Sequence, residues 1–458
     1  MLSEYRQRFG QFHTDLHREA YLFRSGRQTC DETAHIFSDY SDLFRLSTVE
    51  ELRAKLEETS EYRESERTSI RRLIAFALEN HLLAQVREIS AEIEEYEANA
   101  GRAAQDLRAE RFEKLHNGAR ALGHDNYLAM RRELRAPMGG VDFEMLGAQA
   151  SQFLAKTESR YVSALAQLLQ REANVSIDQA TAADLDRLRR YKRFDAFFGR
   201  EQMPRMYRDL FAALGFRTEN QSNVEIDSAP RTNKQPQAFC LPIHVPDEIK
   251  LVVNFAGGQA NYREFLREAG HAQHFAWTSR NLYPEFQLGG DAAVGKAWGM
   301  LFENLLLDLT WLTATFGFVE NAEFRHALAV IRLMELRGQA ARLMYETEFH
   351  AGKLSGRAGK RYVELMTDAV RVQFDDAEHL RDLSDDLRPA SFLRAAAFEA
   401  QMRDHLKTQF GSRWWTSAKA GEMLIDLWNT GQRYSVEDLA RMIGLGELDF
   451  ECLVQAGL

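Results

Sequence analysis

The sequence predicts a mainly α-helical protein with one small β-sheet set into it. Only eight of the 458 residues are proline, so long helices can run without the steric clash and missing donor that proline imposes. Apolar residues recur at steps of three and four through most of the chain, the period of one helix face. Four of the eight prolines, Pro230, Pro236, Pro242 and Pro246, fall together, which concentrates extended or irregular backbone in one place.

Leu2, Tyr5, Phe9, Phe12 and Leu16 define the face of a first helix. Leu82, Val86, Ile89, Ile93, Tyr96 and Ala100 define a second, with Glu and Arg on its other side. Ala136-Pro137-Met138-Gly139-Gly140 interrupts the helical pattern. It predicts a boundary between a helical N-terminal lobe, 1–136, and a second lobe, 137–458. Ala238 to Val245 and Glu248 to Phe255 are short runs rich in Ile and Val, read as strands joined by a turn at Pro246-Asp247. After Gly257-Gly258, Asn261 with Glu264 three positions on has the pattern of a capping box, opening a helix over about 262–276. Trp298, Leu301, Phe302, Leu305, Leu309 and Leu312 form a wide apolar stripe, read as one buried helix. No fixed-period repeat supports a solenoid, and no Gly/Ser or Pro tract marks a linker.

Composition narrows the function. Hydrophobic residues make up 45% and charged residues 28%, enough to bury a large core and to exclude general disorder. The net charge is −10, which argues against a general nucleic-acid binder, since phosphate neutralisation needs a basic surface. Cys30, Cys240 and Cys452 are far apart and form no CxxC pair, so a reducing, cytoplasmic setting is expected rather than a disulfide framework. The opening MLSEYRQRFGQFHTDLHRE is too charged for a signal peptide. The most apolar segment, Ala297 to Phe318, carries Glu303, Asn304 and Asp308. An acidic residue at a membrane-helix centre costs about 2.5–3.5 kcal/mol, so a buried helix is expected there and no membrane partner.

The chemistry-bearing stretch is REAGHAQH, Arg267 to His274. Positions four apart lie one turn apart on one helix face. In HExxH, two His so placed bind zinc and the Glu between them activates its water. Here Glu268 and His271 occupy the second and last positions, and Arg267 stands where the first His would be. The surrounding AFCLPIHVPDEIKLVVNFAGGQANYREFLREAGHAQHFA resembles the core of the thimet oligopeptidase and oligoendopeptidase F family of zinc metallopeptidases. ALGHDNYLAMRREL (121–134) is similar to that family's G-x-x-N-Y helix, and RWWTSAKAGEMLIDLW (413–428) to its C-terminal part. The resemblance runs from about Ala121 to the C-terminus and is most specific between Ala238 and Ala276.

It implies a two-lobed helical body with a deep channel, and a small sheet beside the motif helix whose edge aligns the substrate. It also implies a third zinc ligand, a Glu on the following helix. The matching position is Lys296. A guanidinium stays protonated and an ammonium repels Zn²⁺, and one remaining His is not a zinc site. No metal is therefore expected. Arg267 and Lys296 put two cations where one divalent ion would sit, either salt-bridged to Glu268 or left as an anion pocket.

The leading expectation is a metal-free pseudopeptidase that binds peptide or small anionic peptide-like ligands through Arg267, Lys296 and His274. Glu268 and His271 are the residual catalytic pair, with hydrogen-bonded remnants as the plainer account of them. One alternative is an active zinc oligopeptidase with relocated ligands: His271 and His274 with Asp291 or Glu303. Glu303 lies within the apolar stripe, where a satisfied core carboxylate is the plainer account. Another is a metal-independent enzyme in which Glu268 or His271 moves protons while Arg267 and Lys296 clamp a carboxylate. Glu346 and His350 read as a polar helix face. Phe392 stands where the resemblance implies a tyrosine that stabilises the oxyanion. GxGxxG, Walker and GxSxG patterns are absent.

Overall fold

The helical periodicity is realised in the computed structural model, which describes residues 1–98, 103–318 and 322–456. The fold is mainly α-helical with one three-stranded sheet. Among the described residues no helix is long and apolar enough to cross a membrane. Contacts divide the chain into two compact units. The first gathers Met1–Leu43, Arg189–Ala329 and Arg394–Ala456; the second gathers Phe44–Leu188 and Val330–Leu393. The break at Ala136–Gly140 lies inside the second unit. There a 3₁₀ turn and two glycines at φ of 99° and 71° separate the helices Tyr127–Arg135 and Phe143–Ala173.

In the first unit the N-terminal helix, Leu2–Arg24, buries Tyr5, Phe9 and Phe12. Its last turns pack Tyr21 against Phe239, Leu241, Ile243 and Val252 of the sheet. The Tyr21 hydroxyl donates to Asp227 at 3.0 Å. Asp227 also accepts from Arg27 and Arg231, whose bonds hold its carboxyl near pKa 2 against the opposing effect of burial. The sheet has the order β1-β3-β2. β2 (Phe239–His244) and β3 (Glu248–Val252) are the expected antiparallel pair, and β1 (Val224–Asp227) runs parallel to β3. Four residues long, β1 is too short to announce itself by alternation. Pro242 is tolerated because β2 is an edge strand, where a missing N–H removes no ladder bond.

Three sequence expectations change. The helix containing the motif begins at Gln259, not at a capping box: Asn261 Oδ1 reaches back to the amides of Ala256 and Gly257, and Asp195 caps the Gln259 amide at 2.9 Å. Glu264, the other half of the expected box, faces the sheet instead. The 297–318 stripe is not one helix. The helix Ala292–Glu303 passes into a 3₁₀ turn, and Asp308 then caps a new helix, Leu309–Phe316, by accepting from Thr310 and Trp311. The 82–100 stripe likewise spans two helices, Glu64–Ala84 and Arg87–Ala98, with Tyr96 exposed; Ala100 lies outside the described residues.

The second unit is held by a buried guanidinium. Arg337 bonds to the carbonyls of Ala369 and Leu154, to Thr157 and to Glu158, at 2.5–2.7 Å. Glu346 and His350 are not a solvated helix face. Glu346 is buried and accepts from the Ser384 amide and hydroxyl, and burial pushes its carboxyl well above the usual range. His350 is also buried, bonded to the Ser384 carbonyl and to His116.

The motif helix, Gln259–Trp277, and the helix Ala292–Glu303 approach closely because glycines line their contact. A Cβ on Gly270 would stand 2.4 Å from the Trp298 carbonyl oxygen, and one on Gly299 would stand 2.9 Å from His271 Nε2. Gly270→Ala should therefore destabilise the protein by roughly 1–3 kcal/mol through overpacking. Gly147→Ala, within the helix Phe143–Ala173 and with nothing within 4 Å, should stabilise by about 0.5–1 kcal/mol through helix propensity. Denaturant unfolding of both variants checks this, and effects of the same sign would contradict the packing account.

Candidate functional site

The motif residues converge where the motif helix meets the edge of β2 and the helix Ala292–Glu303. Arg267 donates from Nε to Glu268 Oε1 at 3.2 Å, and its Nη1 lies 3.6 Å from Glu303 Oε2. Arg263, one turn earlier, donates to the other Glu303 oxygen at 2.5 Å. Glu303 is 6% exposed and carries two guanidinium groups, so it is a satisfied buried carboxylate. The two arginines hold together two helices that face each other through Gly270 and Gly299.

Glu268 joins the motif to the sheet. Its Oε2 accepts the Cys240 amide at 3.0 Å, and Glu264 accepts the Ala238 amide at 3.3 Å. Along an edge strand, alternate residues turn their backbone groups away from the neighbouring strand. On β2 and the residue before it those outward positions are 238, 240 and 242. Two carboxylates four residues apart on the motif helix take the first two amides, and Pro242 has none. The Pro242 carbonyl is bonded by His17 Nδ1 at 2.7 Å. Every outward donor of this stretch is thus occupied from within the unit, and a strand added here must displace both carboxylates. The sequence signal was present in the i, i+4 spacing of Glu264 and Glu268 and the two-residue steps to Pro242. It acquires meaning only once helix and edge are known to be adjacent.

Electrostatics follow the burial. Desolvation raises the Glu268 pKa, opposed by Arg267 and the Cys240 amide. Burial, then Arg267 and Lys296, push His271 down to about 3, so it is neutral at pH 7. Its imidazole lies beside Gly295 and Gly299, with Nδ1 3.7 Å from a Cβ built on Gly295. The Cys240 thiol is pushed well above its usual range by burial and by Glu268, which leaves it protonated and a poor nucleophile.

The remaining candidates point elsewhere. His274 is fully buried, its Nε2 bonded to the Gly431 carbonyl at 3.1 Å, and burial lowers its pKa to about 4. Asp291 caps its helix and is gripped by Arg394 at 2.7 and 3.0 Å. Among the described residues no three His, Cys, Asp or Glu side chains form a group able to hold a metal ion. Phe392, in the second unit, lies beneath the Arg332 guanidinium at 5.5 Å.

No protein-family model matches the chain, and no curated protein matches it in sequence. Its fold, however, matches solved metallopeptidases over nearly its whole length. It is similar to the M32 carboxypeptidase from Deinococcus radiodurans R1, with a TM-score of 0.65 and 13% identity, covering 99% of this chain and 96% of that one. It is similar also to the Pyrococcus furiosus carboxypeptidase, with a TM-score of 0.59, 14% identity and coverage of 99% and 96%. A third match is Trypanosoma cruzi metallocarboxypeptidase 1, with a TM-score of 0.54, 11% identity and coverage of 99% and 98%. The chain has a metallopeptidase-like fold.

Buried and partly buried histidines predict an acid-sensitive fold. His13, His271 and His350 are pushed to about 3, and His116 and His274 to about 4, from 6.5, with burial the first cause in each. A histidine whose folded pKa is depressed binds its proton more readily when unfolded. Its stabilisation is complete above pH 6.5 and is lost as pH falls toward the folded value. Unfolding free energy should therefore drop between pH 7 and 5, each group contributing at most about 1.4 kcal/mol per pH unit. Urea titrations across that range check it, and a flat profile would contradict it.

Proposed function

We propose that this chain is a metal-free relative of the zinc oligopeptidases that binds peptide or peptide-like anionic ligands without zinc-dependent hydrolysis. The observation that carries the reading is Arg267, a permanent cation four residues before His271 that bonds Glu268 and lies against Glu303. The resemblance of the motif to HExxH implies a zinc ion, and on our reading the donor set at this place does not fit one. Of the matching positions only His271 offers a neutral nitrogen, Arg267 and Lys296 repel a divalent cation, and the nearby carboxylates are engaged by guanidinium and amide groups. Peptide ligands suit a fold shared with carboxypeptidases, and a reducing cytoplasmic setting agrees with three free cysteines. A second reading keeps Glu268 as a metal-independent acid or base, favoured by the burial that raises its pKa.

Elemental analysis should find far less than one zinc per chain, with no chelator-sensitive cleavage of short peptides. Arg267→His with Lys296→Glu should raise zinc content toward stoichiometric. Stoichiometric zinc in the unaltered protein, lost together with peptidase activity in His271→Ala, would overturn the reading.

A further inference from the structure

The helix Met203–Ala213 turns one face to the motif region and another to a separate cavity. Its Tyr207 hydroxyl accepts from Gln273 at 2.9 Å, and Phe211 lies 5.1 Å from the Phe302 ring. Met206 and Leu210 instead line a cavity of about 430 Å³, within the roughly 300–1,000 Å³ of small-molecule sites. The helix Leu309–Phe316 and the turn Trp414–Thr416 supply the other walls, and all three elements belong to the first unit. Trp311, Phe316 and Trp415 make the lining aromatic. Trp311 and Trp415 are 1% and 3% exposed, and Trp311 meets Phe316 edge to face at 5.4 Å, so packing from behind fixes the rings before a ligand enters. Among the described residues, Arg205, Asp209 and Arg413 are the charged members of the lining. Arg205 and Asp209 pair along one helix at 3.1 Å, which cancels their charges. Arg413 forms no ion pair among the described residues. The Thr416 hydroxyl donates to its carbonyl at 2.8 Å and ties its backbone into the turn. The cavity therefore joins an aromatic wall to one uncompensated positive charge.

We propose that this cavity binds a small amphipathic monoanion, an aromatic body against Trp311, Phe316 and Trp415 with its carboxylate at Arg413. Aromatic rings attract other rings in offset or edge-to-face arrangements, and a guanidinium matches the geometry of a carboxylate. Asp209 on the rim disfavours a dianion. None of Arg267, Glu268, His271 and Lys296 lines this cavity, so the proposal goes beyond the reading of the motif and stands or falls separately from it.

Calorimetry on the full chain with 2-naphthoate, 2-naphthamide and acetate tests this. The acid and the amide share one aromatic body, which acetate lacks. The acid should bind and acetate should not bind measurably, because burial of the aromatic body carries the affinity. Arg413 is exposed, so the amide should bind about three- to fivefold more weakly than the acid. Arg413→Gln should abolish that difference and leave the amide's affinity unchanged. Ala314→Leu, at an exposed helix position in the lining, should fill the cavity and weaken both naphthyl probes by about tenfold or more. The proposal is overturned if 2-naphthoate does not bind, if acetate or the amide binds as tightly, or if both variants leave the affinities unchanged. Should Ala314→Leu fail to fold, the ratio of acid to amide affinity in Arg413→Gln decides. Zinc content alters none of these outcomes, so failure here leaves the metal-free reading intact, and the reverse holds.

Discussion

Arg267 and Glu303 face each other across a close, glycine-lined helix contact of the first unit, and much of the site's geometry depends on that contact. Gly270, Gly295 and Gly299 let the motif helix and the helix Ala292–Glu303 approach until His271 lies against bare backbone. At such separation a side-chain charge on one helix cannot avoid the other. Arg263 and Arg267 meet Glu303 there, and Arg267 turns back to Glu268. Glu268 in turn reaches the Cys240 amide, so one chain of polar contacts ties two helices to the sheet. Glu303 is the buried member of this group, and removing the charge that compensates a buried ion costs up to about 3–5 kcal/mol, less where the partner, like Arg267, is partly exposed.

That arrangement accounts for how a metallopeptidase-like fold can persist with basic side chains in its motif. On the proposed reading, fixed cations take over the charge balance that a divalent ion would provide, while Glu264 and Glu268 seal the outward edge of β2. The edge is then closed to strand pairing, while Arg267 keeps 36% of its side chain exposed. On that reading, ligand recognition depends on charge rather than on backbone pairing.

Much of this was legible in the sequence. Few prolines and a three-four period announced the helices, and clustered prolines located β2 and β3 within a residue or a few of their ends. REAGH marked the helix on which Arg267, Glu268 and His271 come together against the helix Ala292–Glu303. Other features were not legible, for physical reasons. Asp308 reads as a polar intrusion in an apolar stripe, because capping depends on backbone geometry that spacing alone does not reveal. Asn261 and Glu264 have capping-box spacing, but two glycines with positive φ redirect the chain and Asp195 supplies the cap from a distant segment. Arg24 is invisible because it belongs to a helix remote in sequence, and only the fold sets it against Phe239 and Gln235. Glu346 and His350 share a helix face in the sequence, and only the fold shows that face to be buried.

The claim at the centre of this account is that Arg267 and Glu303 are energetically coupled and so bind the two helices without a metal. A double-mutant cycle measures it directly: urea unfolding of Arg267→Met, Glu303→Gln and the pair, in chelator-treated protein. The account predicts a coupling energy of about 1–3 kcal/mol, with the double variant less destabilised than the sum of the single ones. Coupling indistinguishable from zero, with each single change within about 0.5 kcal/mol of the unaltered protein, would contradict it.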